Sequence, residues 1–310
     1  MNINFYSQLK KNIHGELREN FDLSKSNWLG IGGKAKFFFK PKDLKDLQIF
    51  LRNNNQHLPF IVIGSGSNLL IRDKGFDGVV IKFGKDFDYI KISNDIINCG
   101  PATQKFLLAE YAANNNLTGF EFLYCIPGTV AGGVIMNSGC YGSDISNVVL
   151  NISAIDMNGE IKIINNEDIN FSYRHSSLTK NQIITNIEMK GSFLEKHKVL
   201  EIMKNLKNKK DTEQPQKIKT GGSTFKNPNN SEKKAWQLIK ESGCADLKVG
   251  GVKLSNLHCN FLENLGNASS DDVENLIENV QKEVLKKTNI NLELEIEIVG
   301  AKRKKKKLLF

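Results

Sequence analysis

A glycine-rich segment near the middle of the chain limits what the sequence can fold into more than any other feature. Residues 126–142 read IPGTVAGGVIMNSGCYG and contain five glycines. Glycine weakens the interior of helices and strands, so we predict neither an ordinary helix nor an ordinary strand here. The Val, Ile and Met side chains between the glycines still need something flat to pack against. A cofactor ring with its diphosphate is one such partner, and a long surface loop is the alternative.

A second glycine-rich segment, residues 64–70 (GSGSNLL), directly follows the apolar run Phe60–Ile63. Glycine allows backbone amides to approach a phosphate closely, and Ser or Asn side chains donate further hydrogen bonds. The segment is not a Rossmann fingerprint, because Leu69 occupies the third glycine position, and no Gly-Lys-Ser/Thr follows as in a P-loop. Taken alone, it fits a diphosphate site and an ordinary tight turn equally well.

Hydrophobic patterns divide the first two thirds of the chain into two regions. Residues 1–88 alternate strand, helix and strand, which predicts a small α/β domain. Residues 89–206 contain short β-like runs and the hairpin signal Asn158-Gly159, which predict an α+β domain with an antiparallel sheet.

The polar stretch 207–219, broken by Pro215, is the predicted linker to a C-terminal domain over residues 220–300. In that domain a helix is expected after the capping residues 269–272. A closing strand alternates apolar residues with Glu293, Glu295 and Glu297. Residues 301–310 form a basic tail.

The composition is that of an ordinary globular protein, with 310 residues, 40% hydrophobic and 25% charged. The net charge is +9, but six positive charges lie in the uninterrupted run Lys302–Lys307. The rest of the chain is nearly balanced, so we expect a solvated tail and no stable nucleic-acid partner.

The five cysteines form no Cys-x-x-Cys pair, so we expect reduced thiols and no metal site. No stretch approaches the ~20 apolar residues that span a bilayer. The amino terminus lacks a basic region followed by an apolar run. We therefore expect a cytoplasmic protein without a membrane span.

Seven motifs in one order give the chain a close resemblance to the UDP-N-acetylenolpyruvoylglucosamine reductase (MurB) family, and to the shorter of its two types. The motifs are WLGIGGKA (28–35), GSGSNLL (64–70), IPGTVAGG with MNSGCYG (126–142), SYRHS (172–176), GGSTFKNP (221–228), SNLHCNF (255–261) and LELEIEIVG (292–300).

The resemblance implies the FAD-binding fold of vanillyl-alcohol oxidase-type flavoproteins, in two domains with a C-terminal α+β substrate domain. It implies that non-covalent FAD, reduced by NADPH, converts UDP-N-acetylglucosamine enolpyruvate to UDP-N-acetylmuramate for peptidoglycan synthesis. We expect the chain to be a monomer. The FAD contacts implied are Gly64, Ser65, Gly66, Ser67, Asn68, Leu69, Gly128, Thr129, Gly132, Asn137 and Gly139.

The resemblance also implies three catalytic residues, each with a chemical rationale. Hydride addition to an enolpyruvyl ether leaves an enolate, which needs positive charge and then a proton. Arg174, with its forked donors, suits the substrate carboxylate, although a surface arginine is the simple alternative. Ser223 matches the proton donor, and alone it fits a turn serine. Glu295 matches the catalytic carboxylate, although three glutamates on one strand are commonly a solvated face.

Substrate contacts are assigned to Tyr173, Lys226 and Asn227, the last two as donors to the nucleotide diphosphate. We further hypothesise that Lys226 stabilises the Ser223 alkoxide. Two alternatives remain open: an FAD-linked oxidase of the same fold, and a nucleic-acid-binding protein that acts through its basic tail.

Overall fold

The computed structural model of the chain describes residues 9–54 and 58–302. Residues 303–310 of the predicted basic tail lie outside this part. The chain divides into two compact units. The first comprises Met1–Arg18, Phe38–Ser65 and Val80–Thr212, and the second comprises Glu19–Phe37, Gly66–Val79 and Glu213–Phe310.

The strands are β1 (Glu16–Asp22), β2 (Lys34–Lys40), β3 (Phe60–Ile63), β4 (Leu69–Ile71), β5 (Phe76–Lys82), β6 (Ile90–Ser93), β7 (Ile96–Cys99), β8 (Leu117–Thr118), β9 (Gly139–Cys140), β10 (Ser143–Asp144), β11 (Val149–Ile155), β12 (Ile161–Asn165), β13 (Ile183–Lys190), β14 (Ser192–Phe193), β15 (Lys248–Val249), β16 (Val252–Leu254), β17 (Leu262–Asn264) and β18 (Glu297–Val299).

The α-helices are α1 (Leu44–Asn53), α2 (Lys105–Asn114), α3 (Val130–Ile135), α4 (Lys196–Glu213), α5 (Ala235–Glu241) and α6 (Ser270–Thr288). Short 3-10 helices cover Leu23–Ser26, Lys85–Phe87, Glu121–Cys125, Ile145–Asn147 and Asn166–Asp168. One four-stranded sheet has the order β1-β2-β5-β3.

The first unit is built around a five-stranded sheet with the order β12-β11-β13-β7-β6. Every adjacent pair in this sheet is antiparallel, as the sequence predicted. One face of α2 packs into the core of this unit, because Leu108, Ala109 and Ala112 are buried there beside Ile187 of the central strand β13.

The predicted hairpin at Asn158-Gly159 joins β11 to β12, with Ile155 paired to Ile161. Its loop is longer than a two-residue turn, because the Asp156 carboxylate accepts hydrogen bonds from the amides of Asn158 and Glu160. Only Gly159 of the two turn residues has a positive φ, at 78°. An aspartate that accepts local backbone amides therefore sets the turn.

The second unit contains the three-stranded antiparallel sheet β15-β16-β17 and the parallel pair β18-β4. Helix α6 begins as predicted: Ser269 is its N-cap and forms a capping box with Asp272. Its apolar stripe, which includes Val273, Leu276 and Val280, is buried in the core of this unit.

The expectation that residues 126–142 contain no helix is wrong, because α3 lies within them. Thr129 caps this helix by accepting a hydrogen bond from the Gly132 amide at 3.3 Å. Gly133 is required by packing, since a Cβ there would lie 2.5 Å from Ile145 Cδ1. Burial of Val130 and Val134 offsets the cost of about 1 kcal/mol for each helical glycine.

The predicted linker 207–219 is helical as far as Glu213, because α4 continues through it. Lys207 and Asp211, one turn apart, form an ion pair on this stretch. The helix ends just before Pro215, which disfavours helical backbone at the preceding residue. The domain boundaries themselves remain predictions.

The closing strand is also shorter than its alternation predicts. Regular pairing covers β18 alone, and the residues before it contribute an isolated bridge between Phe225 and Leu294. The apolar positions of the pattern still face the core, since Leu292 and Ile296 are buried.

Candidate active site

In the second unit, Ser223 and Glu295 lie on neighbouring extended stretches. Ser223 is bridged to Phe261 on one side, and Phe225 is bridged to Leu294 on the other. The Glu295 amide donates a 2.8 Å hydrogen bond to the Thr224 carbonyl. The structure therefore brings two of the three predicted catalytic residues together.

A buried asparagine that the sequence analysis did not single out fixes the backbone beside Ser223. The Asn260 carbonyl accepts from the Thr224 amide at 2.8 Å. Its side chain accepts from the Phe225 amide at 3.0 Å and donates to the Phe225 carbonyl at 2.8 Å. Asn260 belongs to the SNLHCNF motif, and that motif was the only available signal.

The hydroxyl groups of Thr224 and Ser223 have no hydrogen-bond partner within the described residues. Thr224 is fully buried, and its Oγ1 makes no hydrogen bond within the described part of the chain. The half-buried Ser223 hydroxyl likewise has no hydrogen-bond partner among residues 9–54 and 58–302. A Cβ on Gly222 would meet only the Ser67 carbonyl, at 3.8 Å, within the described residues. The backbone before Ser223 is therefore open to a ligand.

Part of the predicted flavin loop lies directly beside Glu295 in this unit. The Asn68 side chain donates to the Glu295 carbonyl at 2.9 Å, and the Glu297 amide donates to the Asn68 carbonyl at 3.0 Å. Leu69 then starts β4, which pairs in parallel with β18. Glu295 itself is half-buried, whereas Glu293 is exposed. The register of β4 against β18 thus positions Glu295.

The structure gives no support to the hypothesis that Lys226 stabilises the Ser223 alkoxide. Its ammonium lies 3.9 Å from the Glu293 carboxylate and forms no hydrogen bond with Ser223 in the described part. The Asn227 side chain accepts from the Ala235 amide at 3.0 Å, so this residue helps to place the start of α5.

In the first unit, the two glycine-rich segments meet. A Cβ on Gly64 would lie 2.5 Å from Thr129 Oγ1, so only glycine allows this approach. The Ser65 hydroxyl donates to Gln104 Oε1 at 3.0 Å, and Gln104 is bridged to Thr129. Gln104 is a positioning residue that motif reasoning missed.

Gly66 belongs to the second unit and has a different structural requirement. Its φ is +69°, and a Cβ would lie 2.3 Å from the Ser26 carbonyl. Its own carbonyl accepts from the Trp28 amide at 3.0 Å. Glycine is therefore needed here by both backbone conformation and close contact.

Arg174 lies on a tight turn of the first unit, where Ser172 and His175 exchange backbone hydrogen bonds of 3.0 and 3.1 Å. Its φ is +55°, which is unfavourable for an arginine. Its guanidinium lies 5.2 Å from the centroid of the Tyr173 ring, within cation–π range. A strained residue held in one orientation is typical of functional sites.

This turn is tied to the longer glycine-rich segment. The buried Asn137 side chain donates to the Ser172 carbonyl at 3.0 Å and accepts from the Ser146 amide at 3.1 Å. The Ser176 hydroxyl donates to the Ile135 carbonyl at 2.9 Å. Asn137, predicted to contact the cofactor, thus connects the turn to the segment.

The other glycines of the segment have several roles. Gly128 has a φ of +105°. Gly132 donates to the Thr129 cap at 3.3 Å. Gly139 is required by the β9–β10 pair, because a Cβ would lie 2.4 Å from the Ser143 carbonyl. The cofactor contacts assigned to them remain predictions.

Two titratable side chains have a lowered pKa: Lys105, which is buried in the first unit, and His258, which is half-buried in the second unit. Burial, together with the Arg174 charge, lowers the pKa of Lys105, beneath the longer segment, to about 7. Burial also lowers the pKa of His258, whose ring lies 4.9 Å from that of Phe261.

Among residues 9–54 and 58–302, no three His, Cys, Asp or Glu side chains group so that they could hold a metal ion. In the same residues, every helix is too short or too polar to cross a bilayer.

Two family models match separate parts of the chain. Residues 35–165 match the FAD binding domain, and residues 214–299 match the C-terminal domain of UDP-N-acetylenolpyruvoylglucosamine reductase. The UDP-N-acetylenolpyruvoylglucosamine reductase of Pelagibacter ubique is 44% identical over 301 residues, which cover 96% of this chain and 100% of the relative. The chain belongs to the UDP-N-acetylenolpyruvoylglucosamine reductase family.

Further members of the family agree. The reductase of Rickettsia rickettsii (strain Sheila Smith) is 41% identical over 288 residues, covering 93% of this chain and 97% of the relative. The crystal structure of the reductase (MurB) from Thermus caldophilus has a TM-score of 0.80 at 30% identity, over 92% of this chain and 99% of that one.

The comparisons confirm the family, the α+β fold with its FAD-binding module and the class of FAD-dependent oxidoreductase. The geometry also fits a flavin dinucleotide. Gly64 and Thr129 form a close contact between the two glycine-rich segments. Main chain without side-chain obstruction is what a diphosphate and a planar ring require.

Proposed function

We propose that this chain catalyses the NADPH-dependent reduction of UDP-N-acetylglucosamine enolpyruvate to UDP-N-acetylmuramate. The observation that carries this function is the 44% identity to a curated reductase over 96% of the chain. The matches to an FAD binding domain and a reductase C-terminal domain fall on separate parts of the sequence and agree with it.

When bound, FAD supplies a ring that accepts hydride from NADPH and delivers it to the substrate. The residues proposed to hold its diphosphate belong to the two glycine-rich segments: Gly64, Gly66, Ser67, Asn68, Leu69, Gly128, Thr129 and Gly132. Glycine at positions 64, 66, 128 and 132 leaves backbone amides accessible to the diphosphate.

Arg174 binds the substrate carboxylate in this proposal. Its guanidinium is permanently charged and presents a planar fork that matches a carboxylate. The Tyr173 ring at 5.2 Å and the strained turn restrict the orientations of the fork. The positive charge then stabilises the enolate as charge develops next to the carboxylate.

Ser223 donates the proton that completes the reduction, and it does so to the carbon that bears the carboxylate. Its hydroxyl makes no hydrogen bond within the described residues, so its proton is available to a ligand. The next residue, Thr224, fixes the adjacent backbone: its amide donates to the Asn260 carbonyl and its carbonyl accepts from the Glu295 amide, both at 2.8 Å. Glu295, on the neighbouring stretch, is the second acidic group of the site. Lys226 and Asn227 contact the nucleotide diphosphate.

The reaction belongs to peptidoglycan precursor synthesis. We place it in the cytoplasm, because its nucleotide-sugar substrate and nicotinamide reductant are intracellular metabolites. We further propose that the chain acts as a monomer and that its product supports cell shape, growth and division. The basic tail takes no part in the reaction.

The experiment is a reconstitution with FAD followed by anaerobic reduction with NADPH. Adding the enolpyruvyl nucleotide should restore the absorbance of oxidised flavin and yield one UDP-N-acetylmuramate per flavin, identified by mass spectrometry. An oxidase would instead be reoxidised by oxygen and remain reduced with the nucleotide. That result would overturn the proposed function.

A further inference from the structure

Lys105 is a lysine enclosed in the first unit, at the start of α2. Only 4% of its surface is exposed. Its ammonium group lies 3.2 Å from the Ser138 hydroxyl, and within the described residues it forms no ion pair with a carboxylate. Buried lysines are rare unless they are paired, so this charge requires an explanation.

The longer glycine-rich segment encloses this side chain along its length. The Lys105 amide donates to the Gly128 carbonyl at 3.0 Å. A Cβ on Gly133 would lie 3.2 Å from Lys105 Cδ and 2.9 Å from Ser138 Oγ. Glycine at position 133 therefore makes room for the lysine stem. Ser138, its hydrogen-bond partner, lies between the predicted cofactor contacts Asn137 and Gly139.

No side chain among residues 9–54 and 58–302 neutralises the ammonium through an ion pair. The charged or titratable side chains that act on it are Arg174 on the 172–175 turn, Lys210 on α4 and Cys140 on β9. Two of the three are cations. Burial raises the pKa of the Cys140 thiol to about 12, so at neutral pH the thiol carries no charge. Within the described part of the chain, the surroundings of Lys105 are thus positively charged and contain no anionic partner for it.

We propose that Lys105 is an anion-binding residue beneath the longer glycine-rich segment (residues 126–142), and that it takes up a proton when a diphosphate binds there. The inference rests on the proposed function, in which that diphosphate is part of FAD. It adds a positioned cation to a site otherwise formed by backbone amides. Ser138 orients the ammonium by accepting its hydrogen bond.

The pKa of Lys105 determines the direction in which FAD binding depends on pH. Burial and the Arg174 charge lower the pKa of Lys105 to about 7, so without an anion it is about half protonated at that pH. A bound diphosphate favours the charged form and raises the pKa. Binding then takes up little proton at pH 6 and nearly one at pH 8. Affinity for FAD should fall up to about tenfold per pH unit above pH 7.

The test is calorimetric titration of FAD into the full-length chain after removal of its flavin. Repeating each titration in buffers with different ionisation heats gives the number of protons taken up. We expect ~0.1, ~0.5 and ~0.9 protons at pH 6, 7 and 8. Lys105→Met keeps the length and removes the titrating group, so its uptake should lose this rise. Lys196→Met, at an exposed lysine, should behave as the wild type.

Riboflavin, which lacks phosphate, identifies the anion: it should bind without the pH-dependent uptake. Equal uptake by the wild type and Lys105→Met overturns the proposal, and so does wild-type uptake that stays constant between pH 6 and 8. The second criterion needs no variant, so it holds even if Lys105→Met does not fold. Absence of FAD binding at every pH would instead refute the proposed function.

Discussion

Replacing Gly64 with alanine perturbs the contact between the two glycine-rich segments. The added Cβ would lie 2.5 Å from Thr129 Oγ1, 3.3 Å from Cγ2 and 3.5 Å from Cβ. The φ of Gly64 is outside the left-handed region, so alanine carries no backbone penalty there. The substitution therefore measures the contact alone.

The expected loss of FAD affinity in Gly64→Ala follows from these distances. Unstrained contacts are about 3.5 Å or longer, so the segments must separate by roughly 1 Å. Overpacking of this kind costs ~1–3 kcal/mol. If the strain is relieved by opening the flavin site, FAD affinity should fall by ~5- to 150-fold.

The assay is a fluorescence titration of FAD with Gly64→Ala, Thr129→Ala and the double variant. Thr129→Ala removes both atoms that lie within 3.3 Å and leaves only the 3.5 Å Cβ contact. Thr129→Ala alone should lower the free energy of unfolding by ~1 kcal/mol, because α3 loses its N-cap. The double variant should recover most of the affinity that Gly64→Ala loses, because the clashing atoms are absent. Wild-type affinity in Gly64→Ala, or strictly additive losses in the double variant, would refute the reasoning.

Three further predictions follow from other sites. Ser223→Ala should still permit flavin reduction by NADPH, but reoxidation by substrate in stopped-flow should slow by ~10²–10⁴-fold, and an unchanged rate would remove Ser223 from the mechanism. Arg174→Lys keeps the charge but loses the fork, so KM for the enolpyruvyl nucleotide should rise by ~10–100-fold at unchanged flavin content; an unchanged KM would contradict carboxylate binding. Burial alone would raise the pKa of Asp272, but hydrogen bonds from Ser269 and Gly251 outweigh it and lower the pKa. The ionised Asp272 carboxylate therefore stabilises the fold fully above about pH 4, and this stabilisation is lost as the pH falls through the lowered pKa of the folded state. Asp272→Asn should flatten that part of the pH dependence of the free energy of unfolding in urea.

Local signals in the sequence predicted much of the fold. The Asn158-Gly159 hairpin depends on neighbouring residues and a glycine with positive φ, and it forms in the predicted place. The capping box at Ser269 marks the start of α6. Features of this kind can be predicted because their causes lie within a few residues of chain.

Features that depend on distant contacts could not be predicted in this way. Propensity argued against a helix in residues 126–142, but burial of Val130 and Val134 stabilises α3 there. The burial of Lys105 could not be predicted either, because it depends on Gly133 and Ser138, about 30 residues away. Motifs predicted Ser223, but the hydrogen bonds between the Asn260 side chain and the Phe225 backbone join stretches 35 residues apart in the sequence, so they could not be predicted.

The central claim is that flavin bound by this chain passes its reducing equivalent to a nucleotide-linked enolpyruvyl ether. The most direct measurement follows the flavin spectrum of the NADPH-reduced protein, under anaerobic conditions, as the enolpyruvyl nucleotide is added. We predict stoichiometric recovery of the oxidised spectrum together with UDP-N-acetylmuramate. A spectrum that stays reduced until oxygen is admitted would contradict the claim.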